Sequence, residues 1–181
     1  MVEVDLFPVK CFSLQLPDPK AVLEECIRNR EKIKEVSGAA KITWHENHFT
    51  DFSNTVRNVS FENQLHQALS EMHKNLNLTI GLVDYWTAFY GDGATHEPHI
   101  HNQGVFDKPD YSGILYLSEN GGTEFFSSNP FSFDTSVTFK GKFGDVFLFP
   151  SALPHASRKD SDGSERIIIS FNLCIYGEQN G

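Results

Sequence analysis

Three of the chain's eight histidines lie within six residues, at His96, His99 and His101. Alternate residues of an extended chain point to the same side, so His99 and His101 can present two imidazoles to one metal ion. His96 stands outside this alternation, which Pro98 interrupts. The spacing therefore predicts a metal site built on His99 and His101, whose third ligand comes from elsewhere in the chain.

The predicted third ligand is His155. The segment 144–150 is apolar enough for a buried strand, and a short turn then delivers His155 to the start of the next strand. In an antiparallel barrel this strand can lie beside the one that begins near His99. Three ligands on one face leave the other metal positions open, which is typical of non-haem iron sites that activate oxygen.

Arg166 follows His155 on the next predicted strand. Strand alternation places Arg166 on one face with Ser170 and Asn172, whereas the opposite face is uniformly apolar. A buried guanidinium needs an anion, and no acidic residue shares its strand face. We therefore expect Arg166 to point into the interior of a barrel and to hold the carboxylate of a ligand.

Two helices and a series of strands must position these side chains. Residues 18–37 and 60–77 have helical apolar spacing, with Asp18 and Ser60 as predicted capping residues. From about residue 79, short strands alternate with turn residues, which predicts a sandwich or barrel. The predicted strands cover 80–90, 111–118, 123–128, 136–141, 144–149, 154–159 and 165–176. We expect a single domain over 1–181, mainly β with N-terminal helices, in which 1–78 supports a β core at 79–176.

Charge and cysteine content narrow the class of protein. The net charge is −9 and no run of Lys or Arg exceeds two residues, which argues against binding to nucleic acid or to an anionic membrane. The three cysteines are scattered, which favours a reducing compartment over a disulfide framework. The first ten residues do not resemble a signal peptide, and no apolar run approaches the roughly 20 residues of a membrane span. We expect a cytoplasmic protein.

Several ordered motifs accompany the histidines. Tyr-Gly-Asp-Gly stands at 90–93, an apolar strand with Tyr116 at 112–117, Gly-Gly-Thr-Glu-Phe at 121–125, and the strand before His155 at 144–150. Together with the HxH pair, the distal histidine and Arg166, this set resembles the Fe(II)/2-oxoglutarate-dependent oxygenases, above all the prolyl-hydroxylase-like and phage-associated branches. The resemblance covers roughly 80–175. It implies a double-stranded β-helix, the jelly-roll fold that cupins share.

The resemblance also implies a reaction and its site residues. Fe(II), O2 and 2-oxoglutarate would act together, coupling oxidative decarboxylation of 2-oxoglutarate to hydroxylation or another oxidation of a second substrate. The implied iron ligands are His99, His101 and His155, and the implied 2-oxoglutarate contacts are Arg166, Tyr116, Tyr90 and Ser170. Predicted contacts to the second substrate, a small molecule or a peptide, are Asn102, Trp86 and Asn172.

His101 departs from the family pattern, which has Asp or Glu at this position. A third neutral imidazole leaves an iron site one charge more positive, which changes metal affinity and redox behaviour.

One alternative is a cupin-type three-histidine dioxygenase that does not use 2-oxoglutarate. Gly93 before HxH fits the first cupin motif. That motif also expects a Glu a few residues after HxH, where this chain has only Asp107. Another alternative is a non-catalytic metal- or ligand-binding barrel, which keeps the fold but not turnover. Release of succinate would argue against the cupin dioxygenase, which does not need 2-oxoglutarate, and failure to bind Fe(II) or Mn(II) would favour the non-catalytic barrel.

Overall fold

A computed structural model describes residues 2–6, 9–40, 48–52, 54–76, 79–101, 109–119, 122–127, 136–158 and 164–176. The two helices are α1 (Pro19–Ala40) and α2 (Val59–Leu76). The strands are β1 (Val2–Leu6), β2 (Val9–Gln15), β3 (His48–Thr50), β4 (Thr79–Tyr90), β5 (His96–His99), β6 (Tyr111–Tyr116), β7 (Gly122–Phe126), β8 (Ser136–Phe139), β9 (Asp145–Pro150), β10 (His155–Arg158) and β11 (Arg166–Tyr176).

The strands form two antiparallel sheets. One has seven strands in the order β1-β2-β9-β6-β11-β4-β3, and the other has four in the order β5-β10-β7-β8. The long strand β11 pairs with β4 on one side and with β6 on the other. The predicted mainly β architecture with two N-terminal helices is confirmed.

The alternation predicted for the last strand is also confirmed. Ile167, Ile169 and Phe171 pack in one apolar cluster with side chains of α1 and α2, among them Val22 and Phe61. Residues of the opposite face, such as Ile168, contribute to a second cluster that includes Phe125 of the smaller sheet. The helices therefore cover the outside of the seven-stranded sheet, and its inner face is left to build a site.

Helix starts differ in how well the sequence predicts them. Asp18 caps α1 as predicted, because its Oδ1 accepts a hydrogen bond of 3.2 Å from the amide of Ala21. The prediction that Ser60 caps α2 is wrong. Asn58 does so instead, accepting 2.9 Å from the amide of Phe61, while its Nδ2 donates to the carbonyl of Val22 in α1. Asn58 is buried and contacts both helices, whereas Ser60 already lies inside α2.

The N-terminal segment contains three strands that the sequence pattern did not predict. The strand β2 pairs with β9 on one side and with β1, the edge strand of the seven-stranded sheet, on the other. The strand β3 pairs with β4 at the opposite edge. Short edge strands have weak period-two patterns, because only part of each strand is buried. Among the described residues, no helix is both long enough and apolar enough to span a lipid bilayer.

Candidate metal centre

The three predicted ligands converge at the end of the smaller sheet. In the pairing of β5 with β10, His99 is the register partner of His155. His101 lies two residues after the end of β5, and its amide donates a 2.9 Å hydrogen bond to the carbonyl of Ser151 in the turn before β10. One nitrogen from each of the three rings lies within 4.8 Å of the others. The prediction that the strand of His155 lies beside the strand of His99 is confirmed.

Hydrogen bonds at Nδ1 orient two of the three rings. His99 Nδ1 lies 2.8 Å from the carbonyl oxygen of Glu97, and His155 Nδ1 lies 3.0 Å from that of Leu153. A carbonyl only accepts, so the proton of each neutral ring resides on Nδ1. The Nε2 lone pairs of both rings are thereby left available for a metal ion.

Side chains, rather than a carbonyl, orient the ring of His101. Its Nδ1 lies 2.8 Å from Oδ1 of Asn172 and 2.8 Å from Oγ of Ser112. Ser112 also contacts Oγ of Ser151 at 2.9 Å. Asn172 therefore contacts a predicted ligand, which is a role that strand alternation alone did not assign to it.

Burial keeps the imidazoles neutral. It lowers the pKa of His101 to about 4, opposed in part by the hydrogen bond to Asn172. Burial also lowers the pKa of His99 and, well below its ordinary value, that of His155, where the other two rings add to the effect. A neutral imidazole has the lone pair that a metal requires. The donor set therefore suits a divalent cation.

Arg166 lies on β11, on the inner face of the seven-stranded sheet, and is only 6% exposed. Its guanidinium donates 3.1 Å hydrogen bonds to the carbonyls of Gly122 and Arg158, and it also donates to Oγ of Ser157. Among the described residues, no carboxylate pairs with it, and its buried Nε has no hydrogen-bond partner. A buried cation of this kind suits an anionic ligand.

Tyr90 lies between the guanidinium and a further histidine. The Arg166 carbon Cζ is 4.3 Å from the Tyr90 ring centroid, and the His48 ring stacks on the tyrosine ring at 4.3 Å, centroid to centroid. His48, Tyr90 and Arg166 are register partners across β3, β4 and β11. His48 is not among the site residues that the sequence predicted. Its burial depends on the pairing of β3, which no local pattern revealed.

The other predicted 2-oxoglutarate contacts lie at different depths. Ser170 and Thr123 line the small cavity beside Arg166 and the histidines. Tyr116 is buried behind this lining, with its hydroxyl 2.7 Å from Oγ1 of Thr123, so Thr123 stands between it and the cavity. Thr123 was not selected from the sequence, although it belongs to the Gly-Gly-Thr-Glu-Phe motif.

Aromatic rings also border the histidines. The Trp86 ring centroid is 5.5 Å from that of His101 and 5.4 Å from that of Phe52. His96 lies 4.1 Å from His99, centroid to centroid, but is not part of the cluster of ligand nitrogens. Asn102 lies outside the described residues. A larger cavity of about 590 Å³ lies elsewhere, beside α2 and β4.

Comparison with known proteins decides the family. Residues 84–172 match the family described as "Putative 2OG-Fe(II) oxygenase". This segment belongs to the 2OG-Fe(II) oxygenase family. It contains all three histidines of the cluster and the buried arginine. No match was found among the curated proteins.

Solved structures of this class share the fold. A prolyl-4-hydroxylase of Pseudomonas putida is 18% identical with a TM-score of 0.63, over 92% of this chain and 93% of that one. A Trichoplax adhaerens prolyl hydroxylase, solved with a peptide fragment of hypoxia inducible factor, is 15% identical with a TM-score of 0.64, over 93% and 84%. HygX of Streptomyces hygroscopicus, solved with nickel, 2-oxoglutarate and hygromycin B, is 14% identical with a TM-score of 0.61, over 92% and 83%.

The oxygenase adopts the predicted double-stranded β-helix, or jelly roll. It is an Fe(II)- and 2-oxoglutarate-dependent dioxygenase. The residues present fit both groups. Three neutral rings offer nitrogen donors to iron, and a buried guanidinium with an unpaired Nε offers donors to a carboxylate. The cupin alternative without 2-oxoglutarate would leave this guanidinium without a function.

Proposed function

We propose that His99, His101 and His155 ligate Fe(II) through Nε2 and that Arg166 binds the distal carboxylate of 2-oxoglutarate. One observation carries this proposal. Three neutral imidazoles converge beside a buried guanidinium that no described carboxylate neutralises. When bound, iron activates O2, so that 2-oxoglutarate yields succinate and CO2 while one oxygen atom enters the second substrate.

The side chains around Arg166 would hold the co-substrate and limit water. Bonds from the guanidinium to two carbonyls and to Ser157 fix its plane, and Tyr90 covers one face. Thr123 and Ser170 line the same cavity and offer hydroxyl groups to the carboxylate. Tyr116 acts on Thr123, orienting its hydroxyl, rather than on the co-substrate itself.

We assign the second substrate to the side bordered by Trp86, Phe52 and His96. Trp86 and His96 line the same cavity as Arg166, and with Phe52 they form an uncharged aromatic wall beside His101. The similar structures hold a peptide in one case and hygromycin B in another, so a peptide or a small molecule fits the proposal. The cytoplasmic location stays a prediction, which rests on the scattered positions of the three cysteines.

Succinate formation tests the proposed ligands. We expect the Fe(II)-loaded protein to convert 2-oxoglutarate slowly to succinate without a second substrate. His155→Ala should abolish this conversion, because two imidazoles remain where three are required. His66→Ala, on the exposed side of α2, is the matched control and should keep the parental rate. An absence of succinate from the parent, or an equal rate in His155→Ala, would refute the proposal.

An increase in succinate release on addition of a candidate second substrate tests where that substrate binds. Proline-containing peptides and small hydroxylated metabolites are added in parallel, and any compound that increases succinate release is then examined for an added oxygen by mass spectrometry. Trp86→Leu should remove the stimulation and keep the substrate-independent rate, because the indole lies outside the proposed ligand set. A stimulated rate that is unchanged in Trp86→Leu would place the substrate elsewhere.

A further inference from the structure

His101 differs from the other two histidines in what holds it. Backbone carbonyls two residues away fix His99 and His155, whereas His101 is fixed by a chain of side chains. Asn172 Oδ1 lies 2.8 Å from His101 Nδ1, and Asn172 Nδ2 donates 2.8 Å to Oδ1 of Asp84. The one ring that stands where the family has a carboxylate is thus connected to a carboxylate through one amide.

The direction of these hydrogen bonds follows from Asp84. An ionised carboxylate only accepts, so the amide of Asn172 must turn its NH2 group toward Asp84. Its oxygen then faces His101 and Ser112, whose hydroxyl donates to it at 2.9 Å. An amide oxygen only accepts, so His101 keeps its proton on Nδ1 and presents Nε2 to the metal. Reversing the amide would place its oxygen against the carboxylate.

The fold holds this chain in place. Asp84 and Asn172 are register partners on β4 and β11, and Ser112 of β6 is the partner of Asn172 on its other side. Ser112 and Asn172 are buried, and Asp84 is half-buried. Burial raises the pKa of Asp84, and the hydrogen bond from Asn172 opposes that rise. A charge at reduced solvent exposure acts more strongly on its neighbours than one in water.

We propose that Asp84, acting through Asn172, is a positioning residue that supplies the negative charge missing from the His101 position. No proton needs to move. The hydrogen-bonded chain polarises the Nδ1–H bond of His101, which strengthens Nε2 as a donor, as carboxylates hydrogen-bonded to metal-binding histidines do. This inference rests on the proposed function, in which His101 ligates the metal.

The affinity of the apoprotein for Co(II) tests the proposal, measured through visible absorption of the bound ion without co-substrate. Asp84→Asn keeps an acceptor for Asn172 and removes the charge. We expect it to weaken Co(II) binding about 10-fold or more, within the range of roughly 10- to 100-fold for such outer contacts. Glu35→Gln, on the exposed side of α1, makes the same charge change far from the site and should bind as the parent does.

A swap of the two side chains supplies the rescue. In the double variant Asp84→Asn with Asn172→Asp, the carboxylate introduced on β11 directly accepts the His101 Nδ1 proton. The amide introduced on β4 then donates to this carboxylate, so the pair keeps its hydrogen bond with the roles reversed. We expect Co(II) affinity at or above the parental value. Co(II) also shifts the exchangeable imidazole protons of its ligands in the NMR spectrum. Asp84→Asn should displace one of three such resonances and leave two unchanged.

The outcomes separate the two hypotheses. A parent that does not bind Co(II), or a His101→Ala variant that binds as the parent does, refutes the ligand assignment. If those two behave as expected, parental affinity within about twofold in Asp84→Asn overturns only the role of Asp84. If Asp84→Asn does not fold, the Co(II) affinity of the swap variant tests the role of Asp84 instead. Affinity at the parental level supports the proposal, and affinity as weak as that of His101→Ala overturns it.

Discussion

At the scale of single residues, the arginine is the most informative side chain. Arg166 is buried on the inner face of β11, and its fixed fork of donors is only partly used by carbonyls and by Ser157. Such an arrangement stabilises the fold poorly by itself, because an unpaired buried charge costs free energy. A ligand carboxylate would offset that cost.

We therefore predict that Arg166→Lys raises the apparent KM for 2-oxoglutarate about 10-fold or more. A lysine keeps the charge but lacks the planar fork that pairs with a carboxylate through two bonds. Succinate formation at varied 2-oxoglutarate measures the change, and Co(II) affinity should stay at the parental value. Arg57→Lys, in a surface pair with Glu62, is the control. An unchanged KM in Arg166→Lys would contradict the carboxylate role.

At the scale of elements, the contact between β6 and β11 depends on a residue without a side chain. Gly113 is the register partner of Phe171, and a Cβ at this position would lie 2.1 Å from Cζ of the Phe171 ring. Phe171 is fully buried against the helices, so its ring has little space to move. The glycine therefore allows the buried phenylalanine ring of β11 to lie across the neighbouring strand.

Gly113→Ala should lower the free energy of unfolding by about 1–3 kcal/mol, the usual cost of overpacking a core. Urea denaturation of the apoprotein measures it. Gly38→Ala is the matched control, because a Cβ there meets no atom within 4 Å. Alanine is the better helix former, so this variant should gain about 0.5–1 kcal/mol. Equal stability of the two variants would contradict the packing argument.

At the scale of the whole molecule, the site joins the two sheets. His99 and His155 belong to the smaller sheet, whereas Arg166, Tyr90 and Asn172 belong to the larger one. A metal and a co-substrate bound between them would add contacts that exist only in the folded state. Ligands that bind only the folded chain shift its unfolding equilibrium by mass action.

We predict that Mn(II) together with 2-oxoglutarate raises Tm more than Mn(II) alone. At about 100 times the dissociation constant, a ligand adds about 2.7 kcal/mol, which corresponds to roughly 5–10 °C for a chain of this size. Chelation with EDTA should reverse the shift. In His155→Ala, neither Mn(II) alone nor Mn(II) with 2-oxoglutarate should raise Tm. A full shift in that variant would contradict the place of His155 among the ligands. Differential scanning fluorimetry is the measurement.

Local sequence patterns alone determined several features of the site and of its supporting strand. The HxH spacing, the distal histidine and Arg166 predicted the cluster, because strand alternation and a short turn determine which way these side chains point. The apolar face of β11 predicted helices on one side and a site on the other. These are local rules, and the described structure agrees with them at each of these residues.

Other features were decided only by tertiary structure. His48 reaches Tyr90 through the pairing of β3 with β4, Thr123 stands in front of Tyr116, and Asp84 is connected to His101 through Asn172 on another strand. Each depends on strand register between segments distant in the chain, and a one-residue shift would turn every one of these side chains to the opposite face. Local periodicity records which face a residue occupies. It does not record which residue lies across from it.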